Sequence, residues 1–403
     1  MKAKKIISLW NLITCVFLTI VFTGALSGIS EQKVYILVAI YFVMYILYLI
    51  IMRDEIQIDK FIFIISCIMI SVWVYGIILG LLNGNRKELI IRNFAGMTMY
   101  LLVFPLSNKK IDRELIIKII KVMAHYSLYI SIFTYCLLTY TKVKFVYQVP
   151  VINAFVGDGR AGGFIQYFNR ELIHVCFAYN AYIFLFQKRK KIISALNIVM
   201  AGYYYVIVND SDGDLLAALI LLLVVIVPMF LRLKKEHKAI IGGIVICILI
   251  GCMLINRNVL FGIFSPDDFG NARRYEELNY FKSNITFFGY GLGKELGSIG
   301  AAGIYNYGTE LIYVNLFHKF GIFAILILGA YIATMYKAIK FYIKDRTDNP
   351  DKVIPMALMA YLIPSLANPM LFSVLAVVSH ILSCIFISED KTTIKIRMRN
   401  SAN

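Results

Sequence analysis

The sequence predicts an all-α, polytopic integral membrane protein with about twelve transmembrane helices and two large extracytoplasmic loops. Three observations lead to this prediction: the hydropathy of the chain, the distribution of its positive charges, and the position of its polar residues. Hydrophobic residues make up 60% of the chain, and the mean hydropathy is +0.74. At this hydrophobicity helices are the expected spanning structure, because a helix satisfies its own backbone polar groups in lipid. The alternating pattern of membrane-barrel strands is absent from the sequence.

Apolar stretches recur along the whole chain, and we interpret residues 1–403 as one polytopic membrane domain. The stretches at 34–52 and 61–82 have no charged residue and are long enough to cross about 30 Å of hydrocarbon. The spans at 172–186 and 353–367 are the shortest. The predicted spans are 6–28, 34–52, 61–82, 89–106, 119–140, 172–186, 192–208, 214–231, 239–255, 309–336, 353–367 and 371–388.

The positive charges predict the orientation of these spans. If the N-terminal tail lies inside, lysines and arginines of the inner segments outnumber those of the outer segments by about two to one. Most lysines and arginines of the outer segments lie in the two long loops. Among the short turns, the excess of positive charge on the inner side is therefore larger still. Both termini are therefore predicted to be cytoplasmic, with the first apolar segment kept as a span rather than cleaved as a signal peptide.

The composition also excludes several kinds of site. The net charge of +17 is spread over short cytoplasmic turns, which membrane topology alone explains, so no nucleic-acid partner is expected. The seven cysteines all fall within apolar spans, and the five histidines show no metal-ligand spacing. We therefore expect no disulfide framework, no metal site and no cofactor.

The polar residues of the outer side are concentrated in the third and fifth outer loops, Thr141–Glu171 and Asn256–Gly308. A channel or a simple anchor has no need of such loops, whereas a site for a bulky anionic lipid-linked substrate does. Arg160 lies in the third loop, and Arg273 and Arg274 lie in a segment of helical character in the fifth. Guanidinium groups match phosphate oxygens, so arginines from two loops could clamp a pyrophosphate. Contact with lipid headgroups, or an ion pair of Arg273 with Glu276 or Glu277, is the alternative interpretation.

Arg92 lies a few residues inside the predicted fourth span. Charged side chains within a membrane usually face the interior of the helix bundle, where Arg92 would help to bind phosphate. The alternative is that its long side chain reaches the nearby interface.

Glu310 opens the predicted tenth span on the outer side. A carboxylate at this position could take a proton from a sugar hydroxyl. From the residues alone, the preferred interpretation is an acid at a helix N-terminus, with Thr309 as the N-cap residue. His318, two turns deeper, is expected to be a buried packing residue.

Two further segments resemble ligand-binding loops. Gly289-x-Gly291-x-Gly293 lacks the strand–helix context of a nucleotide loop, so its glycines are expected to allow a sharp turn or close backbone approach to a phosphate or sugar. The segment 209–214 resembles the start of a calcium loop, but Leu221 stands where a glutamate is needed. We interpret it as an outer turn that caps the eighth span through Asp212 or Asp214.

Three segments together resemble the O-antigen polymerase and ligase superfamily. The third loop reads Arg160-Ala-Gly-Gly-Phe164 with Asn169 just before a span, similar to that family's "R-x-G-x-F…N" pattern. The fifth loop reads Arg273-Arg274, followed by Gly289-Tyr-Gly291-Leu-Gly293, similar to the family's arginine and glycine-rich stretch. The motif of the next span begins at Glu310, includes Tyr313 and ends with Gly321-Ile322. These motifs cover some 60–70 residues, and their order and predicted topology match across the chain.

Two positions depart from the family pattern. Ligases of the superfamily typically have His-Asn where Glu310-Leu311 stands, so the resemblance favours the Wzy-type capsule and exopolysaccharide polymerases. They also tend to carry Ser-Arg where this chain has Ser211-Asp212. The missing arginine leaves phosphate binding to Arg160, Arg274 and Arg92.

The resemblance implies a metal-independent glycosyltransferase of the plasma membrane. It would join oligosaccharide repeat units carried on undecaprenyl pyrophosphate into capsular, O-antigen or exopolysaccharide chains at the outer face. Glu310 would be the general base, and a substrate-binding set would hold pyrophosphate and sugar: Arg92, Arg160, Arg273, Arg274, Gly289, Gly291 and Tyr313. The lipid bilayer, a flippase and a chain-length regulator of the same pathway would be its partners. The alternatives are an O-antigen-type ligase, a lipid-linked oligosaccharide flippase and a scaffolding membrane protein.

Overall fold

A computed structural model gives the structure of the chain and describes residues 2–23, 31–52, 56–108, 110–141, 170–188, 190–209, 211–232, 269–296, 309–344, 349–366, 371–388 and 393–396. The described part is mostly helical, with one pair of short strands. The all-α class predicted from hydropathy is thus confirmed. The predicted ninth span, 239–255, and most of the third outer loop lie outside the described residues.

The helices and strands follow the chain in a simple order. The first half consists of α1 (Lys2–Thr23), α2 (Glu31–Met52), β1 (Ile56–Asp59), α3 (Lys60–Leu82), α4 (Lys87–Thr98), α5 (Val103–Leu106), α6 (Arg113–Thr141), α7 (Arg170–Phe186) and α8 (Lys191–Tyr203). The second half consists of α9 (Asp212–Arg232), α10 (Phe269–Asn284), α11 (Ile312–Phe320), α12 (Ala324–Lys344), α13 (Ile354–Leu358), α14 (Val374–Phe386) and β2 (Thr393–Ile396). Short 3₁₀ or π turns join several of them.

Six helical stretches of the described part are long and apolar enough to cross a membrane. They are Lys4–Thr23, Tyr35–Met52, Lys60–Leu82, Arg113–Leu137, Lys191–Val208 and Ile312–Lys344. Two shorter apolar helices are Gly213–Pro228 and Val374–Phe386. Large apolar side chains on these helices stay exposed, for example Ile50, Ile78 and Ile332. Such an outward apolar surface indicates a lipid bilayer environment, so this is a membrane protein.

Three predicted spans are broken in the structure. The segment 89–106 ends as α-helix at Thr98, passes through a 3₁₀ turn at Met99–Leu102 and resumes as α5 with Pro105 in its first turn. The segment 353–367 contains α13 and two 3₁₀ turns, with Pro355 and Pro364 at the helix starts. Proline lacks an N–H and clashes with the preceding turn, so it restarts a helix rather than continuing it. The tenth span is interrupted at Gly321, whose φ is 56°.

Segments predicted for the same side of the membrane contact one another. On the predicted inner side, β1 pairs antiparallel with β2 of the C-terminal tail, and Lys121 pairs with Asp351 at 2.8 Å. On the predicted outer side, Arg86 pairs with Glu295 of the fifth loop at 2.8 Å. Segments that the charge pattern assigns to one side of the membrane therefore lie together in the structure. Which of the two sides faces the cytoplasm remains a prediction.

Candidate functional site

An arginine–glutamate pair joins the fifth loop to the start of α11. Arg274 lies on α10, within the stretch 272–278, most of whose residues are good helix formers. Its Nε donates to Glu310 Oε2 at 2.9 Å, and both side chains are 27% exposed. The structure thus places the predicted phosphate-binding arginine against the predicted general base. The pair remains open to solvent and to a ligand.

Glu277, one turn further along α10, fixes the backbone beside Glu310. Its buried carboxylate accepts from the Glu310 N–H through both oxygens, at 3.1 and 3.0 Å, and from the Leu311 N–H at 3.0 Å. These N–H groups precede the first turn of α11, where a carboxylate is favoured. From the sequence Glu277 is predicted only as an ion-pair partner for Arg273, because a contact between segments 33 residues apart leaves no local pattern.

The expected N-cap at Thr309 is not found. The helix begins at Ile312, and its N-cap position, Leu311, has no side-chain cap. The Thr309 hydroxyl instead accepts from Asn315 Nδ2 at 3.0 Å. Glu277 supplies the missing cap from another helix, which leaves the Glu310 carboxylate available to Arg274.

An aromatic cluster lies beside this pair. The buried ring of His318 contacts Tyr280, Phe281 and Tyr290, with centroids 4.9 to 5.8 Å apart. His318 is therefore a packing residue, as the sequence predicts. Burial, and then the nearby Tyr290, raise the pKa of Tyr280. Tyr280 accordingly stays a neutral phenol at physiological pH and is a poor base.

The glycine-rich segment 286–293 docks its backbone between α3 and the break in the tenth span. Tyr290 N–H and Gly291 N–H donate to the carbonyls of His318 and Lys319, and Leu292 N–H donates to Gly76. On the other edge, Asn85 Nδ2 donates to the Tyr290 carbonyl at 2.7 Å. The segment therefore ties the fifth loop to α3 and to α11, the helix that Glu310 precedes.

Gly289 and Gly291 permit this close approach. Their φ angles are 80° and 77°, in a region that glycine enters at little cost. A Cβ at Gly291 would collide with the backbone of Leu79 and Gly80, and one at Gly289 with Lys319 and Gly321. The close approach expected from sequence is thus to the neighbouring helices. A contact of either glycine with phosphate or sugar stays a prediction.

Gly291→Ala is expected to destabilise the protein by about 2–4 kcal/mol, from left-handed strain plus overpacking. Gly84→Ala is the matched control, because Gly84 also has a positive φ, 66°, but a Cβ there meets nothing within 4 Å. The control should cost only about 1 kcal/mol, the conformational strain alone. Thermal unfolding of the purified variants in detergent measures both. Equal losses for the two variants would show that the docking of this segment contributes little.

A second, fully buried polar cluster lies at the predicted outer ends of α7 and α9. Asp214, 0% exposed, accepts from Arg170 Nη1 at 3.0 Å, from Asn209 Nδ2 at 2.7 Å and from His174 Nε2 at 3.3 Å. The other ring nitrogen of His174, Nδ1, forms a hydrogen bond with the Tyr205 hydroxyl at 2.8 Å. Buried charges require such pairing.

This cluster corrects two sequence-based expectations. Ser211, not Asp214, caps α9, since the Ser211 hydroxyl accepts the Asp214 N–H at 3.4 Å; the Asp212 side chain is outside the described part. Arg170 and Glu171, assigned to the end of the third loop, are buried in the first turn of α7 because Asp214 neutralises the arginine. The family pattern has an arginine at the outer end of the eighth span, where this chain has Asp212. In this chain Arg170, at the start of α7, lies beside that span and pairs with Asp214.

The remaining predicted site residues are placed only in part. The Tyr313 hydroxyl donates to the Leu362 carbonyl at 2.7 Å, which fixes its ring beside the 3₁₀ turns after α13. Arg92 lies on α4 and Arg273 on α10, with side chains outside the described part, and Arg160 lies outside the described residues altogether. Their roles in substrate binding stay predictions.

No group of three metal-ligating side chains occurs within the described ranges. At one end of the apolar helix bundle, these ranges bring together the Arg274 guanidinium and the Glu310 carboxylate. The backbone beside Glu310 is fixed there by hydrogen bonds to Glu277. Comparison with known proteins adds no further assignment, since no protein-family model and no curated protein matches this chain.

Proposed function

We propose that this protein is a membrane polysaccharide polymerase. It would join oligosaccharide repeat units carried on undecaprenyl pyrophosphate at the outer face of the plasma membrane. The observation that carries the proposal is the Arg274–Glu310 pair, 2.9 Å apart, at the junction of a polar loop and a membrane helix. A phosphate-matching cation and a carboxylate base are the two groups that transfer from a glycosyl pyrophosphate needs.

The pair suggests how donor binding prepares the reaction. The Glu310 carboxylate accepts a hydrogen bond from the guanidinium of Arg274. A pyrophosphate carries more charge than a carboxylate and would displace Glu310 from Arg274. The freed carboxylate would then take the proton of the acceptor sugar hydroxyl, whose oxygen attacks the anomeric carbon. The bond to pyrophosphate breaks, and Arg274 neutralises the charge that the leaving group gains.

Glu277 would act as a positioning residue in this scheme. It holds the backbone N–H groups of Glu310 and Leu311, so the direction of the Glu310 side chain is set before substrate arrives. Such preorganisation reduces the reorganisation needed in the transition state. No metal is required, because pyrophosphate is already a good leaving group.

Two neighbouring functions remain as alternatives. A ligase would transfer a finished glycan to another acceptor, and the carboxylate at Glu310 instead of a histidine favours polymerase. A flippase is expected to have charges along a central path through several spans. In the described ranges, the buried Arg170, Glu171 and Asp214 lie at helix ends on the predicted outer side, and Lys319 is buried deeper in the tenth span. A buried charge deep in one span is less than the charged path through several spans that a flippase would need.

The size of surface glycans tests the proposal. Cells lacking this gene should display only single repeat units, and the wild-type gene should restore long chains. Arg274→Ala and Glu310→Ala should fail to restore them, whereas Lys282→Ala and Glu276→Ala, exposed on the same helix α10, should succeed. Accumulation of lipid-linked repeats on the cytoplasmic side would identify a flippase. Accumulation of full-length glycan on its lipid carrier would identify a ligase.

A further inference from the structure

A cavity of about 750 Å³ lies at the predicted cytoplasmic end of the bundle, away from the Arg274–Glu310 site. Its walls come from the start of α3, the last three turns of α12 and the residues that follow α14. Asp59, Phe61, Tyr336, Lys337, Lys340 and Lys344 are among the lining side chains. Neither the proposed chemistry nor the packing of the core uses this cavity.

The cavity wall is strongly basic. Lys337, Lys340 and Lys344 are exposed and follow one another at spacings of three and four residues, which places them on one face of α12. The Nζ of Lys337 lies 3.5 Å from the centroid of the Phe61 ring, so its charge is held at the cavity wall.

The lining keeps a net positive charge. Asp59, the acid among the lining side chains, caps α3 by accepting from the N–H groups of Phe61 and Ile62. Its single negative charge is outnumbered by the three lysines. Ser388, also in the lining, accepts from Arg113 Nη2 at 3.5 Å. The cavity therefore fits an anion.

The cavity also borders the lipid-facing surface. Tyr336, in its wall, is 63% exposed, and Ile332, one turn before it on α12, is 68% exposed. Exposed apolar side chains of a membrane helix face acyl chains, while lysines near helix ends sit at the headgroup level. An occupant would thus meet ammonium groups and aromatic rings side by side, since Lys337 lies over Phe61 and Lys340 over Tyr336.

We propose that this cavity binds the headgroup of an anionic phospholipid. The three lysines would contact the phosphodiester, and the acyl chains would lie along the aromatic wall. Basic pockets between membrane helices on the cytoplasmic side are suited to such headgroups. Free inorganic phosphate shares the chemistry of the headgroup but lacks the chains that the aromatic wall would contact.

Native mass spectrometry of the full-length protein tests this site. Protein in neutral detergent is titrated with dioleoyl phosphatidylglycerol, dioleoyl phosphatidylcholine or sodium phosphate. We expect one tightly held phosphatidylglycerol, little phosphatidylcholine, and no competition by phosphate. Replacing the three lysines with alanine, or with glutamine to keep part of the side chain, should weaken the phosphatidylglycerol adduct by at least about tenfold.

The matched control is Lys118→Ala, Lys188→Ala and Lys191→Ala combined. It removes the same charge from exposed positions outside the cavity lining and should keep the adduct. If the control lost as much phosphatidylglycerol adduct as the cavity variants, binding would depend only on the net charge of the protein, and the proposal would be overturned. Retention of the adduct in both cavity variants would also overturn it, as would complete displacement of phosphatidylglycerol by phosphate.

Discussion

Glu310→Gln is expected to reduce the rate of glycosyl transfer by about 10²–10⁴-fold, the usual contribution of a general base. Glutamine has nearly the same shape, and its amide oxygen can still accept from Arg274, but it cannot take a proton at neutral pH. The fold should be unaffected, because Glu277 binds the backbone at position 310 rather than its side chain. Initial rates of chain elongation with purified enzyme measure the effect.

Glu276→Gln provides the control for this substitution. Glu276 is exposed on α10, close to Arg274 in sequence, and its loss should change the rate by less than about twofold if only a positioned base matters. Donor affinity should stay the same in Glu276→Gln and should rise in Glu310→Gln, because a neutral amide competes less with pyrophosphate for Arg274. If Glu310→Gln kept a rate close to that of the wild type, Glu310 would not be the base and the proposed mechanism would fail.

Asp214→Ala is expected to cost about 3–5 kcal/mol of stability, the penalty for removing one partner of a buried ion pair. Three donors lose their common acceptor, and the guanidinium of Arg170, 1% exposed, has little access to water. Thermal unfolding in detergent should show a large fall in the midpoint. Glu88→Ala, which removes an exposed carboxylate from a surface pair with Arg86, should change stability by less than about 1 kcal/mol.

A double replacement separates the charge effect from the loss of packing. Arg170→Met with Asp214→Leu removes both charges together and keeps apolar volume, so it should recover much of the stability lost in Asp214→Ala. If Asp214→Ala itself unfolded at the temperature of the wild type, the cluster would be unimportant to the fold. A double variant less stable than Asp214→Ala would show that the hydrogen-bond network, rather than charge pairing, dominates.

Sequence patterns predicted features that depend on neighbouring residues. The uncharged run at 61–82 is a helix that begins at Lys60 and ends at Leu82. The helical character of the segment around Arg273 and Arg274 is confirmed by α10. Both follow from local composition, because an apolar run in lipid and a run of good helix formers each favour a helix without outside contacts.

Local sequence patterns do not predict contacts between segments that are distant along the chain. Asp214 and His174 are 40 residues apart, and Glu277 caps a helix 33 residues away. A carboxylate near a helix start has the same local signature whether it caps that helix or binds an arginine from elsewhere. The breaks at 353–367 were likewise hidden within an apolar run, although Pro355 and Pro364 mark them.

Reconstitution with a defined substrate tests the central claim most directly. Purified protein in liposomes would receive undecaprenyl-pyrophosphate-linked repeat units in the presence of EDTA. The proposed function predicts a ladder of chains that grow by whole repeats, with one undecaprenyl pyrophosphate released per new linkage, and no ladder from Glu310→Gln. Movement of intact lipid-linked repeats across the bilayer with no new glycosidic bond would contradict it.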